Sequence, residues 1–270
     1  MDKVSMSWWG SGAAVNKKLG NASYALWGEG DPLLVDVSGL TAMQLASDGQ
    51  LSRFKDVLIT HVHSDHISGL CELGYARVNR EGDWHPPVRV HTGSGAIMDD
   101  LIAIMEPMMQ NQSRNDGRAF RAKFGDYFEI SVGEEINIGG LPPIHLHKTR
   151  HAPGMDCYGI HVPDAGLWVS GDSVEVKALP KDTQLAFRDA NGPNTKHAVH
   201  ACVDMLRTLP YADNEITFLY HLGLDWREVD ATGFAGKVLP GDVFVLDGEG
   251  YKHDKTNTFL YDSHPYDGPR

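Results

Sequence analysis

Short apolar runs separated by turn residues set the pattern of this chain from its first residues. Val4 to Trp9, Ser23 to Trp27 and Pro32 to Val37 carry the aromatic and β-branched residues of strands, with Gly- or Asn-containing turns between them. Thr41 to Ala46 predicts a short helix opened by a Thr cap. Asp56 to Thr60 predicts a buried strand that stops where a cluster of histidines begins. Further strands are predicted at Val88 to His91, Pro143 to His147, Cys157 to Val162, Leu167 to Ser170, Ile216 to Tyr220 and Val243 to Leu246. Helices are predicted at Ser94 to Met109 and His197 to Leu209. The polar stretch from Gln110 to Phe124, with Arg114, Arg118, Arg121 and Lys123, reads as a solvated loop, or else as a cationic lid over an anionic substrate. Strands come first, then strands and helices mixed, which predicts an α/β protein with two sheets rather than one doubly wound sheet. No repeat and no Pro/Gly/Ser linker divides the 270 residues, so residues 1–270 are expected to form one domain.

Composition narrows the class. No apolar run approaches the roughly 20 residues of a membrane span. The first residues lack the charged-then-apolar layout of a signal peptide, so a cytoplasmic location is expected. Cys71, Cys157 and Cys202 are odd in number and widely spaced, with no CxxC pair, which argues against a disulfide framework or a Cys-rich zinc site. The net charge of −12 makes a long nucleic acid an unlikely partner, since such binders neutralise phosphates with a basic face. It does not oppose a small anionic substrate held by metal ions.

The candidate chemistry lies in His61-Val62-His63-Ser64-Asp65-His66. A lone HxH pair is weak evidence, although residues two apart on a strand share a face. HxHxDH is far more specific, because it places four ligands within six residues directly after an apolar strand. Imidazole and carboxylate donors together suit zinc, with manganese or iron as alternatives.

The segment Thr60 to Leu70 resembles the signature of the metallo-β-lactamase superfamily. The resemblance implies an αββα sandwich, two mixed β-sheets flanked by helices, with the metal site at one edge. It also implies two zinc ions and three further ligands in the order His, bridging Asp, His. His151 in Arg150-His151-Ala152-Pro153-Gly154, Asp172 after Leu167-Trp168-Val169-Ser170-Gly171, and His221 after Ile216-Thr217-Phe218-Leu219-Tyr220 match that order. Taken alone, Asp172 reads more often as a helix cap and His221 as a satisfied strand-end histidine. His145 and His147 compete with His151, which is preferred because it sits at a turn after a strand. The implied ligand set is His61, His63, Asp65, His66, His151, Asp172 and His221.

Within the superfamily, Asp at 172 disfavours a Cys-ligand β-lactamase, and His at 63 disfavours an oxygen-reducing di-iron enzyme. Gly10 to Ala14 with Gly20-Asn21-Ala22-Ser23, Pro153 to Gly159, and His200 to Pro210 resemble the phosphodiesterase branch that includes the tRNA 3′-processing ribonuclease. The long arm with which those enzymes grip tRNA has no counterpart, since only Ala152 to Gly171 separate His151 from Asp172. In size and in lacking the arm the chain resembles a phage-encoded group, the anti-Pycsar cyclic nucleotide phosphodiesterases, which degrade the cyclic pyrimidine signals of a bacterial defence system. The resemblance implies hydrolysis of a 3′,5′-cyclic nucleotide to its 5′-monophosphate, in the host cytoplasm if phage-encoded, by a homodimer. Asp65 is expected to orient the nucleophile, and His200 to act as general acid or else to be a solvent-facing helix histidine. The competing functions are a lactonase or thioesterase on the same site, a ribonuclease, and a non-catalytic nucleotide-binding protein.

Overall fold

The computed structural model describes residues 3–78, 86–109, 112–113, 119–193 and 198–255. Among them, β1 (Val4–Gly10), β2 (Ser23–Trp27), β3 (Leu33–Val35), β4 (Asp56–Leu58) and β5 (Val88–Thr92) open the chain. A small hairpin of β6 (Gln112–Ser113) and β7 (Ala119–Phe120) precedes β8 (Phe128–Val132). There follow β9 (Glu135–Ile136), β10 (Ile144–Lys148), β11 (Tyr158–Val162), β12 (Leu167–Val169), β13 (Leu185–Asp189), β14 (Thr217–Tyr220) and β15 (Gly236–Lys237). Finally β16 (Val243–Leu246) and β17 (Tyr251–Asp254) return to the first sheet. The first sheet has the order β17-β16-β1-β2-β3-β4-β5-β8 and the second β15-β14-β13-β12-β11-β10-β9. Both are mixed, with parallel runs through β3-β4-β5-β8 and through β12-β13-β14-β15.

The sheets meet through their apolar faces, and aromatic rings fill the space between them. Trp8 of β1, 2% exposed, reaches Tyr24 of β2 and crosses to Phe187 of β13 and Tyr220 of β14, with ring centroids 4.6, 5.2 and 5.2 Å away. Helices α1 (Gly39–Ser47), α2 (Ser64–Ile67), α3 (Leu70–Val78) and α4 (Gly95–Met109) belong to the first half, and α5 (Val203–Leu206) and α6 (Tyr211–Glu215) to the second. The stripe Ile97, Leu101, Met105 and Met109, spaced four apart, buries one face of α4 beside β5 and β8. Two mixed sheets flanked by helices match the sandwich expected from the sequence. No helix among the described residues is long and apolar enough to cross a membrane.

Three local expectations change. The cap of α1 is Ser38, whose Oγ accepts from Thr41 N at 3.1 Å, so Thr41 is the capped residue and not the cap. The helix expected over His197 to Leu209 forms only at Val203–Leu206, and the chain bends through residues 198–200. Its start is diverted because Cys202 pairs with Gly192 and Ala201 N donates to Ser173 O, contacts that hold this stretch extended. Strand β13 was not anticipated, since Arg188 and Asp189 interrupt its apolar pattern although all five of its residues are buried. In the polar stretch, Arg114 and Arg118 lie outside the described residues, and Arg121 and Lys123 are exposed.

A buried carboxylate pins β4 to β5. Asp56, 0% exposed, accepts from Arg89 Nε and Nη2 at 2.7 and 2.6 Å and contacts His91 Nε2 at 2.8 Å. Burial pushes its carboxyl up, but hydrogen bonds from His91 and Arg89 outweigh burial and hold it below the usual range. Asp56→Ala removes the acceptor shared by buried His91 and half-exposed Arg89 and is expected to cost about 1–3 kcal/mol in chemical denaturation. In the wild type this contribution is complete above the unfolded carboxyl pKa of about 3.9 and is lost as pH falls through the lower folded value. Equal stabilities of variant and wild type at pH 7 would refute the assignment.

Candidate metal centre

The clustered donors stand just beyond the ends of β4, β10, β12 and β14, where the chain must turn and side chains from neighbouring strands converge. After β4, Ile59 and Thr60 lead into His61 and His63, and the short turn of α2 brings Asp65 and His66 round. His151 follows β10, Asp172 follows β12 and His221 follows β14. Gly171 precedes Asp172 at φ +63°, and a Cβ there would lie 2.4 Å from Tyr158 O, so the turn requires glycine. His221 itself adopts φ +56°, which for a residue with a side chain is uncommon.

The structure brings all seven sequence-derived donors together. His63 Nδ1 lies 3.1 Å from His61 Nε2 and 3.0 Å from His151 Nε2, so three imidazole nitrogens face one point. On the other side, Asp65 Oδ2 is 3.5 Å from both His66 Nε2 and His221 Nε2. Asp172 Oδ2 stands between the two sets, 3.1 Å from His221 Nε2, 3.4 Å from His66 Nε2, 3.8 Å from His61 Nε2 and 3.9 Å from His151 Nε2. Neither His145 nor His147 joins them. His147 lies on the opposite face of β10 from Ile144 and Leu146, stacked on Trp168 at 5.1 Å, where burial pushes its pKa down to about 4.

The donors fit a divalent metal site. His66 Nε2, His221 Nε2 and Asp172 Oδ1 are buried without a hydrogen-bond partner, a costly state that metal ligation relieves. Spacings of 3–4 Å between donors suit ions bound about 2.0–2.2 Å from each. Burial and the neighbouring His66 hold His61 well below the ordinary histidine pKa, which leaves a neutral ring with a lone pair to give. Burial pushes Asp65 up, but the His221 and His66 side chains outweigh it and keep the carboxyl ionised.

A second layer fixes these rings, and sequence reasoning missed most of it. Asp36, at φ +55° just past β3, accepts from Thr60 N and Thr60 Oγ1 and holds His66 Nδ1 at 2.7 Å. That contact puts the His66 proton on Nδ1 and turns Nε2 to the centre. His151 Nδ1 donates to Val199 O at 2.9 Å with the same effect. Asp189, at the end of β13, accepts from Ser173 N and takes His200 Nδ1 at 2.6 Å, with His221 Nδ1 3.6 Å away. Both aspartates carried a readable signal, a charged residue closing an apolar strand: Leu33-Leu34-Val35-Asp36 and Leu185-Ala186-Phe187-Arg188-Asp189.

His200 reaches the centre from a bend rather than a helix. Its ring stands 4.7 Å from that of His221 and 4.8 Å from that of His151. The N-terminal glycine turn is structural: Asn21 Nδ2 donates to Ala13 O and Ala14 O, and Ser23 Oγ to Asp36 O. The three cysteines are free and buried, as expected for small apolar residues.

The fold is that of a metallo-β-lactamase fold protein from Bacillus subtilis, YhfI, whose solved structure is similar to this chain at a TM-score of 0.62 with 15% identity, covering 90% of this chain and all of that one. On this fold the convergent histidines and aspartates make a candidate metal centre at the edge of the two sheets. Residues 4–244 match the family model of the Anti-Pycsar protein Apyc1, and the chain belongs to that family. It is 28% identical over 251 residues to the Anti-Pycsar protein Apyc1 of Paenibacillus sp. (strain J14), covering 88% of this chain and 97% of the relative. It is 25% identical over 260 residues to the protein of the same name from Bacillus phage BSP38, covering 88% and 96%.

Asp36→Ala frees the Nδ1 side of His66 and leaves Thr60 without its acceptor. Metal affinity of the variant, measured by chelator competition, is expected to fall about 10–100-fold. An affinity equal to wild type would remove Asp36 from the support of the centre.

Proposed function

We propose that this protein hydrolyses a small phosphodiester, a 3′,5′-cyclic nucleotide, to its 5′-monophosphate with two zinc ions. His61, His63 and His151 would hold one ion, Asp65, His66 and His221 the other, and Asp172 both. The observation that carries this reading is the pairing of two donor sets around one buried Asp172, with the His200–Asp189 pair beside them. The segment from His151 to Asp172 is taken up by β11, a single turn and β12, which leaves no arm to grip a tRNA. The Anti-Pycsar name of the relatives, some of them phage proteins, supports a role against cyclic pyrimidine signals in an infected cell. The same chemistry performed there would deplete the signal.

When bound, such ions supply Lewis acidity and a water acidified to a pKa of about 7. The chain's own residues supply the rest. Asp65, ionised beside His66 and His221, accepts a hydrogen bond from the attacking water and aims its lone pair at phosphorus. The P–O3′ bond breaks as the P–O bond to water forms, and O3′ needs a proton. Burial holds Asp189 above the usual carboxylate range and His200 below its ordinary value, so the pair shares one proton at 2.6 Å rather than separating full charges. His200 would give its Nε2 proton to O3′ as the proton held with Asp189 settles on Nδ1, and the proton lost from the water restores the pair.

Metal-loaded protein is expected to open cyclic nucleotides in a panel that also holds bis(p-nitrophenyl) phosphate, a pre-tRNA and a simple lactone, and to lose the activity with a chelator. Turnover of the lactone alone would move the protein to acyl hydrolysis, and recovery of unchanged nucleotide after long incubation would make it a binding protein. His200→Ala is expected to lower kcat by about 10²-fold or more with the metal content intact. An unchanged kcat would return His200 to a packing role.

A further inference from the structure

The seven donors come from both halves of the sandwich. His61 to His66 hang from the first sheet, whereas His151, Asp172 and His221 hang from the second. Aligning them therefore needs contacts that lock one sheet's loops to the other's. His221 makes the heaviest demand, because it combines a left-handed backbone with a side chain aimed at Asp65 of the opposite half.

Asn16 supplies such a lock. It lies in the loop between β1 and β2, 1% exposed, and its three hydrogen bonds all belong to buried partners. Nδ2 donates to Leu222 O at 2.9 Å and to Gly223 O at 2.7 Å, the two carbonyls that follow His221. Oδ1 accepts from Leu19 N at 3.2 Å, which closes the loop on itself. The backbone adds Leu222 N to Ser11 O at 3.1 Å and Ala13 N to Leu222 O at 3.0 Å. From the other side Gly223 N donates to Asn191 O, and a Cβ on Gly223 would lie 2.5 Å from that oxygen. Leu19 and Leu222 then anchor the junction in the smaller core with Leu219, Val203 and Leu206.

We infer that Asn16 is a positioning residue for the ion held by Asp65, His66 and His221: its amide fixes the carbonyls after His221 and so keeps that ring facing the first-half ligands. A side-chain amide is suited to this task because it donates twice and accepts once from one rigid plane. The inference rests on the two-ion reading of the centre.

Asn16→Asp is the test. It keeps the shape and the acceptor for Leu19 N but removes both donors and sets an oxygen against two carbonyls. Metal binding to metal-free protein would be followed by competition with a chromophoric chelator, with the two binding steps resolved. The ion sharing His221 is expected to bind about 10–100-fold more weakly, and the ion at His61, His63 and His151 as in wild type. The melting temperature of the metal-free variant reports a merely structural role, which would lower it and weaken both ions together. That result, or two unchanged affinities, overturns the inference. A wild-type protein that takes up a single ion overturns the two-ion reading and the inference with it.

If the variant does not fold, the wild type still decides. Coupling is reciprocal, so loading the second ion must tighten the clamp that favours it. Hydrogen exchange at the Ala13 and Leu222 amides is expected to slow on that second step. Exchange rates indifferent to loading would overturn the inference.

Discussion

Asp172 is a carboxylate 2% exposed at the junction of two sheets, with four imidazole nitrogens within 4 Å of one of its oxygens. Burying an unpaired charge is among the costliest acts in folding, and here the surrounding imidazole rings offset it. The architecture follows from that need. The strands must stop at a common edge, the turns after them must be tight, and a ring whose outward nitrogen is occupied presents the inward one with its lone pair. Asp36 and Val199 O meet the last condition for His66 and His151, and Asp189 holds His200 beside them. The turns meet the second through Gly171 and through the unusual backbones of Asp36 and His221.

The two halves do similar work by similar means. In each, an aspartate closing a parallel strand, Asp36 after β3 and Asp189 on β13, receives a histidine Nδ1 from a later turn. The difference lies in what that histidine does next. His66 has its second nitrogen among the metal donors, whereas His200 stands beside them with a proton shared with Asp189.

Contacts between the halves limit how well the donors can converge. The aromatic packing of Trp8 on Phe187 and Tyr220 sets the distance between the sheets, and the Asn16 junction sets the fine alignment of the last ligand. The glycine turns matter through the neighbours they approach. Asn21 and Ser23 act this way too, holding the first loop and the Asp36 carbonyl.

The sequence by itself determined the strands that carry a clean apolar run, such as Ser23–Trp27 and Thr217–Tyr220, and the HxHxDH donor cluster, because these signals are local and repeat over a few residues. It also set the order His151, Asp172, His221, each placed just after an apolar strand. The tertiary structure alone decided the rest. Strand β13 hides Arg188 and Asp189 inside a strand, since their partners come from elsewhere in the chain. The stretch before α5 loses its helical turns to bonds with Ser173 and Gly192. The preference for His151 came from its turn position, and the structure adds that His147 stacks on Trp168 away from the donors. Asn16 finds its partners more than 200 residues away. Long-range pairings of this kind leave no period in a sequence, because the free energy that selects them resides in the packed state and not in any local stretch of chain.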